Sequence, residues 1–340
     1  MSALWLRNWT SAAGSCWCGG WSGRGCSRWP LADPLPAPIC TAISHAARES
    51  MAGTASTVRA WILLEQPGPW GAEALLQSRL DPVFATELAG RARRARVRVL
   101  LIRRYGAAAS AARPHCFVAY TGTRVCFVEG RRLEHPEELR SLSLASLRRG
   151  ERPGFGDPVD RPLYLVCTNG RHDRCCATYG RPLARSLSAA YGDQVWECSH
   201  IGGDRFAGNL LCLPHGLYFG GLGAVDGPRT AELYERGLVD LEHYRGRCSQ
   251  EPIVQAAEHF VREIQGLRHV DGLRLKRRER RERRDGGEVA AVFASPSGTR
   301  YHVRVAARPS AQARRLTCKA SRLSFPPEYH LIDLRSEPAS

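Results

Sequence analysis

The order of the predicted secondary-structure elements is the feature that most restricts the fold of this 340-residue chain. It begins with an apolar strand at residues 61–64, a loop rich in proline and glycine, and a helical region over residues 72–94. A strand at 97–102 and a hairpin over 116–128 follow. Strands that alternate with helices in this way predict an α/β fold with a mixed sheet flanked by helices.

The same order recurs in the second half of the chain. An apolar strand at residues 163–166 is followed by a cysteine-rich loop, a helix over 182–191 that begins at Pro182, and a strand at 195–198. A second hairpin covers residues 210–220. The recurrence concerns the order of elements and not the residues themselves, and it predicts two similar α/β units in tandem.

The flanking segments complete the domain prediction. The N-terminal segment lacks a basic-then-apolar signal pattern, so we expect it to be disordered or to result from a start codon assigned too far upstream. Two further helices, over about residues 230–243 and 252–267, and three short strands, at 289–293, 301–305 and 329–334, are predicted towards the C-terminus. The predicted divisions are this N-terminal segment (1–36), a first α/β unit (37–155), a second unit that carries the cysteine loop (156–270), a basic linker (271–285) and a small β-rich extension (286–340).

The charge of the chain is strongly basic, with 49 basic and 33 acidic residues and a formal net charge of +16. Only Lys276 and Lys319 are lysines, and arginine is spread over the whole chain, so the excess indicates a compositional bias more than a phosphate-binding surface. The densest run, residues 274–284, is expected to be a solvated helix end or a linker. Nucleic-acid binding is therefore not expected.

Thirteen cysteines are distributed unevenly, unlike those of disulfide-stapled secreted modules. No apolar run reaches the roughly 18 residues that cross a bilayer. Together these features predict a cytoplasmic protein without membrane contact, in which clustered cysteines serve metal or redox chemistry. Cysteines on predicted strands are interpreted as apolar fillers, and others show no partner pattern. The first group is Cys116, Cys126 and Cys212, and the second is Cys40, Cys248 and Cys318.

Two short segments that each follow a predicted strand are dense in thiol, imidazole and carboxylate groups. Residues 167–176 read CTNGRHDRCC and residues 196–209 read WECSHIGGDRFAGN. Loops after neighbouring strands can meet at one end of a sheet, where a strand and a helix fix the positions of ligands. The sequence therefore predicts one metal-binding site built from both segments.

Local geometry restricts which side chains of these segments can share a metal. Adjacent thiols at Cys175 and Cys176 point in different directions, so only one of them is expected to be a ligand. His200 and Asp204 are separated by three residues that include Gly202 and Gly203, which permit the tight turn needed to place both side chains around one metal.

At these residues the sequence resembles the sucrase/ferredoxin-like family, a branch of the thioredoxin-like ferredoxins with a cysteine loop followed by a His-x-Gly-Gly-His segment and an Ala-Gly-Asn-like turn. The resemblance is densest over residues 163–221 and extends more weakly over 40–267. It implies thioredoxin-like units and a [2Fe-2S] cluster, held by two cysteines and two nitrogen ligands and used for electron transfer. The ligands that it implies here are the thiolates of Cys167 and Cys176 and the imidazole of His200.

The second imidazole position of the family is occupied by Asp204, and several interpretations stay open. Asp204 could ligate iron through oxygen, which would lower the reduction potential. Cys198 could supply the fourth ligand instead, or Asp204 could orient a neighbouring ligand. Cys175 is less favoured than Cys176, and a family branch that has lost the cluster is a further possibility.

Other functions compete with the electron carrier. Zinc suits thiolate and imidazole ligands equally well. A thiol-disulfide oxidoreductase is disfavoured because no Cys-x-x-Cys pair opens the helix, and a structural adaptor could use the arginine run. No carboxylate pair is placed for glycoside hydrolysis, so a carrier is expected over a hydrolase. The expected partner is a redox protein of unknown identity, which Arg171, Arg174 and Arg205 could attract, whereas His172 and Asp173 are expected to serve local turns.

Overall fold

The protein is built on a ten-stranded mixed sheet, followed by a separate four-stranded antiparallel sheet. The computed structural model describes residues 39–106, 113–283 and 286–339. The predicted α/β class and C-terminal β-rich extension are confirmed. The prediction for residues 1–36 lies outside the described residues. No helix in the described part of the chain combines the length and the apolar character of a membrane-spanning segment.

The large sheet is formed by two successive sets of elements. The first set comprises α1 (Cys40–Ala46), β1 (Ala60–Glu65), α2 (Pro82–Ala95), β2 (Val97–Arg103), β3 (His115–Thr121), β4 (Cys126–Arg132), α3 (Leu144–Arg149) and β5 (Asp157–Pro158). The second comprises β6 (Leu163–Cys167), α4 (Arg174–Tyr191), β7 (Val195–Cys198), β8 (Leu210–Leu213), β9 (Leu217–Phe219), α5 (Asp226–Glu235), β10 (Tyr244–Arg247) and α6 (Pro252–Gln265).

Strand order relates the two sets to each other. The sheet runs β10-β9-β8-β6-β7-β2-β1-β3-β4-β5. In the first half β1 pairs parallel with β2 and antiparallel with β3, and in the second half β6 pairs parallel with β7 and antiparallel with β8. The halves meet where β2 pairs antiparallel with β7. Each half therefore has the same order of elements, as the recurrence in the sequence indicated.

The core consists of one layer shared by both halves and one layer for each half. Apolar side chains from β1 to β4 and from β6 to β9, including Trp61 and Trp196, form a continuous cluster on one face. On the opposite face, α2 and α3 cover the first half and α4 and α5 cover the second. Burial of strand residues on both faces explains why β1 and β6 read as unbroken apolar runs.

Helix boundaries differ from those predicted. Helix α4 begins at Arg174 instead of Pro182, because Asp173 caps it by accepting a hydrogen bond from the backbone nitrogen of Cys175 at 2.8 Å. Helix α2 begins at Pro82, where Asp81 is the cap, and residues 72–81 form turns. Helix α5 ends at Glu235, earlier than expected. Because α4 begins at Arg174, the adjacent residues Cys175 and Cys176 both lie in its first turn.

The C-terminal sheet contains β11 (Arg274–Arg283), β12 (Gly286–Ala294), β13 (Arg300–Pro309) and β14 (Pro327–Glu337), paired antiparallel in that order. Helix α6 packs its apolar side on this sheet. The basic run is thus the edge strand β11 over residues 274–283, and not a linker or helix end. Charged side chains on an edge strand protect it from pairing with other chains, which explains why so basic a segment can be a strand.

Candidate functional site

The predicted site lies at the carboxyl ends of β6 and β7, two parallel neighbours in the middle of the sheet. Cys167 is the last residue of β6 and pairs in register with Cys198, the last residue of β7. The loop after β6 leads directly into α4, whose first turn carries Cys176. Because both loops leave the sheet at the same edge, the two predicted segments meet there.

Cys167, Cys176 and His200 come together at this edge. One ligand atom of each lies within 4.8 Å of the others, and the two cysteines are each only 1% exposed. Interactions with Cys176 and His200 hold the pKa of Cys167 well below its ordinary value despite burial. The same contact with Cys167, together with burial, raises the pKa of Cys176. Deprotonation is therefore favoured at Cys167 over Cys176.

Asp204 contacts both Cys176 and His200. The thiol of Cys176 donates to its Oδ1 at 3.2 Å, and Nδ1 of His200 is 3.0 Å from the same oxygen. That nitrogen is not aligned for a hydrogen bond, however, and it is a buried atom without a hydrogen-bond partner among the described residues. Burial opposes the charged imidazolium, but Asp204 and the sulfur of Cys167 raise the pKa of His200 to about 9.

The turn between His200 and Asp204 depends on its two glycines. Gly202 and Gly203 have φ values of 97° and 82°, in the left-handed region that favours glycine. Asn209 donates to the carbonyl of Gly203 at 2.8 Å, and the buried guanidinium of Arg245 donates to the side chain of Asn209 at 2.7 Å. Sequence reasoning found the glycines but missed Arg245, because it follows the motif by more than 30 positions on a different strand.

His172 also belongs to the site, although the sequence analysis assigned it to local structure. Its ring stacks on that of His200 with a centroid distance of 3.7 Å and an interplanar angle of 18°. Nδ1 of His172 lies 3.2 Å from the carbonyl oxygen of Ala72, and Nε2 lies 3.8 Å from Oδ2 of Asp204. His172, His200 and Asp204 thus form a further set of possible ligands.

The two less favoured cysteines do not join the Cys167 group in the described part of the chain. Cys198 is fully buried beside Cys167, and burial raises its pKa well above the ordinary value. Cys175 points away from Cys176, as expected for adjacent thiols, and belongs to a second group with Cys40, Cys318 and Asp173.

This second group also has the donor atoms to hold a metal ion. The sulfur of Cys175 is 3.5 Å from that of Cys40 and 3.3 Å from that of Cys318. A hydrogen bond from Cys40 lowers the pKa of Cys175 to about 6 against the opposing effect of burial. Sequence reasoning missed the group because its cysteines are 135 and 143 positions apart, with no motif around Cys40 or Cys318.

Comparison with known proteins gives one assignment. No curated protein and no solved structure shows significant similarity to the chain. A family model described as Sucrase/ferredoxin-like matches residues 51–246, which is more than half of the chain and includes Cys167, Cys176, His200 and Asp204. Cys40 and Cys318 lie outside the matched region. The chain therefore belongs to the sucrase/ferredoxin-like family.

Proposed function

We propose that this protein binds a [2Fe-2S] cluster through Cys167, Cys176 and His200 and transfers electrons. The observation that carries the proposal is the convergence of two buried thiols with an imidazole whose buried Nδ1 has no hydrogen-bond partner among the described residues. A buried polar atom without a partner is costly, and a ligand that it could bind removes that cost. Thiolate and imidazole are both ligands of [2Fe-2S] centres.

The arrangement of the halves supports a thioredoxin-like fold for each of them. In both, two parallel strands are connected through a helix, and an antiparallel hairpin extends the sheet beside the first strand. This is the order that the family resemblance implies. In the second half the proposed ligands lie at the end of β6, in the first turn of α4 and just after β7.

The exposure of the ligands suits an electron carrier. Cys167 and Cys176 are buried, whereas the side chains of His200 and His172 are 23% and 33% exposed. When bound, the cluster supplies one-electron oxidation and reduction. The chain holds the thiolates away from water and places the imidazoles at the surface, where a redox partner protein can approach. Burial of both sulfurs disfavours the oxidoreductase alternative, because a substrate disulfide could not reach them.

Asp204 is our candidate for the fourth ligand. Its carboxylate contacts both Cys176 and His200, and it occupies the position of the family's second imidazole. His172 is the competing candidate. If its Nδ1–H donates a hydrogen bond to the carbonyl oxygen of Ala72, its Nε2 is left to bind iron, which is a common arrangement for histidine ligands. Asp204→Ala should lose most of the iron while His172→Ala keeps it. The reverse result would assign the fourth position to His172.

The proposal is tested by iron content and absorbance of protein purified without oxygen. The wild type should be red-brown, with iron and sulfide in equal amounts. Cys176→Ser should be colourless, whereas Cys212→Ser should keep the colour, because Cys212 is equally buried in the same sheet but lies outside both metal groups. A colourless wild type without iron, which binds zinc that is lost in Cys176→Ser, would support the zinc alternative. Iron that is retained in Cys176→Ser would overturn the proposal.

A further inference from the structure

Three sulfurs from distant parts of the chain meet at the start of α4. Cys40 comes from α1, Cys175 from the first turn of α4, and Cys318 from the segment between β13 and β14. The sulfurs are separated by 3.5, 3.3 and 3.5 Å, which gives a nearly equilateral triangle. Cys40 and Cys175 are almost fully buried, and Cys318 is partly buried.

The size of this triangle matches a tetrahedral metal site better than a disulfide. A disulfide joins two sulfurs at about 2.0 Å and would leave the third cysteine without a partner. Around a tetrahedral zinc ion, with Zn–S bonds of about 2.3 Å, neighbouring sulfurs lie roughly 3.8 Å apart. The observed separations are only slightly shorter, so a small outward movement of the side chains would admit the ion.

Asp173 supplies the fourth corner. Its side chain is fully buried, and a carboxylate oxygen lies within 4.8 Å of all three sulfurs. Oδ1 accepts a hydrogen bond from the backbone nitrogen of Cys175 at 2.8 Å, and Oδ2 accepts one from that of Cys318 at 2.6 Å. Each carboxylate oxygen has a second lone pair, so Asp173 can bind a cation without losing these bonds.

We propose that Cys40, Cys175, Cys318 and Asp173 bind a zinc ion that fastens α1 and the segment around Cys318 to the first turn of α4. Three thiolates exclude Mg²⁺ and Ca²⁺, and the hard carboxylate disfavours Cu⁺, whereas zinc accepts both donor types. Four protein ligands leave no open position, so the role is structural. Cys40 and Cys318 lie outside residues 51–246, which makes this site additional to the region that defines the family.

The zinc site would also hold α1 against the turn that carries Asp204, beside the proposed cluster ligands. On α1, next to Cys40, the hydroxyl of Thr41 donates to the carbonyl oxygen of Asp204 at 2.9 Å. Just beyond α1, Glu49 forms an ion pair with Arg205 at 2.8 Å. Fixing α1 through Cys40 therefore fixes the turn that carries Asp204.

Zinc and iron contents of the full chain test the proposal. The wild type should contain zinc at one ion per chain in addition to iron. Cys40→Ser and Cys318→Ser should each lose the zinc and keep most of the iron, whereas Cys126→Ser, a partly buried cysteine outside both groups, should keep both metals. Cys176→Ser should show the opposite pattern, losing iron and keeping zinc, which separates failure of this proposal from failure of the electron-carrier proposal.

Two outcomes would overturn the zinc site. One is wild-type protein that contains no zinc and takes up none when zinc is added. The other is zinc that persists in both Cys40→Ser and Cys318→Ser. Should these variants fail to fold, Cys176→Ser protein loaded with Co²⁺ in place of zinc gives the same answer, because this variant lacks one thiolate of the Cys167 group and keeps all three sulfurs of the Cys40 group. Strong thiolate-to-cobalt absorption would support the site, and its absence would contradict it.

Discussion

The two halves of the ten-stranded sheet have the same order of elements, but different types of residue end their first strands. In the first half β1 ends at Glu65, whose carboxylate accepts hydrogen bonds from the backbone nitrogen and Nδ1 of His115, both at 2.8 Å. The next residue, Gln66, accepts from Gly68 and Trp70, each at 2.9 Å. These polar side chains satisfy one another.

In the second half β6 ends at Cys167, in the position that corresponds to Glu65. Glu65 pairs with Ile102 on β2 as Cys167 pairs with Cys198 on β7. Here the polar groups do not complete their hydrogen bonds, because Nδ1 of His200 is buried without a partner among the described residues. The comparison shows that the topology places polar side chains at the carboxyl end of the first strand in both halves, and that only the half with unsatisfied donor atoms is suited to a ligand.

Replacing the residue at the end of each first strand should give the largest contrast between the halves. Cys167→Ser should lose nearly all bound iron, because it removes a thiolate ligand, whereas Glu65→Gln should leave the iron content unchanged. Iron per folded chain, measured after purification without oxygen, checks both. Similar iron loss in the two variants would show that the halves do not differ in the way described.

Equivalent core substitutions should affect the halves equally. Leu63 on β1 and Leu165 on β6 are fully buried in the layer that both halves share. Leu63→Ala and Leu165→Ala should each lower the free energy of unfolding by about 2–5 kcal/mol, measured by urea denaturation. Leu76→Ala, at a residue that is 46% exposed, should change it by no more than about 0.5 kcal/mol. Separate unfolding transitions for the two halves would contradict a shared core.

Acid should weaken the first half through Glu65. Burial raises the pKa of this carboxyl, but the hydrogen bonds from His115 outweigh it and lower the pKa below 4.5. The stabilisation is therefore complete above the unfolded-state pKa and is lost as the pH falls through the lower folded-state value. Glu65→Gln should remove this part of the pH dependence, at a cost of roughly 1.5–3 kcal/mol near neutral pH.

Chemical denaturation between about pH 6 and pH 3 measures this effect, and Glu232→Gln, at an exposed helix position, is the control. If Glu65→Gln lost as much stability on acidification as the wild type, the Glu65–His115 contact would not be the cause.

The smallest effect is expected from Asp204→His. Replacement of a negatively charged oxygen ligand by a neutral nitrogen favours the reduced cluster, so Asp204→His should raise the reduction potential without loss of iron. Redox titration of the variant beside the wild type measures the change. A lowered potential would show that the carboxylate is not a ligand.

The sequence predicted the fold where local pattern and tertiary environment agree. Residues 60–64 of β1 and the whole of β6 are apolar runs buried on both faces, and the hairpins are marked by turn residues, so the approximate positions of these strands could be recognised. The start of α4 could not, because its first turn, from Arg174 to Cys176, has no helical pattern of apolar residues and Pro182 looked like a helix start. The cap at Asp173 was the available signal.

The same limit applies to the site. Convergence of the two segments followed from two motifs that each come after a strand, whereas the choice of Cys167, Cys176 and His200 within them came from the family resemblance. His172 was assigned to a turn because its stacking on His200 depends on how two loops approach each other. Cys40 and Cys318 could not be connected to Cys175 at all, since only the complete fold brings these segments together.

The central claim is tested most directly by pulsed electron paramagnetic resonance of the reduced protein, purified without oxygen. We expect the signal of a reduced [2Fe-2S] cluster with coupling to a histidine nitrogen, and loss of that coupling or of the cluster in His200→Ala. A protein that shows no such signal, or a cluster signal without nitrogen coupling, would contradict a site built from Cys167, Cys176 and His200.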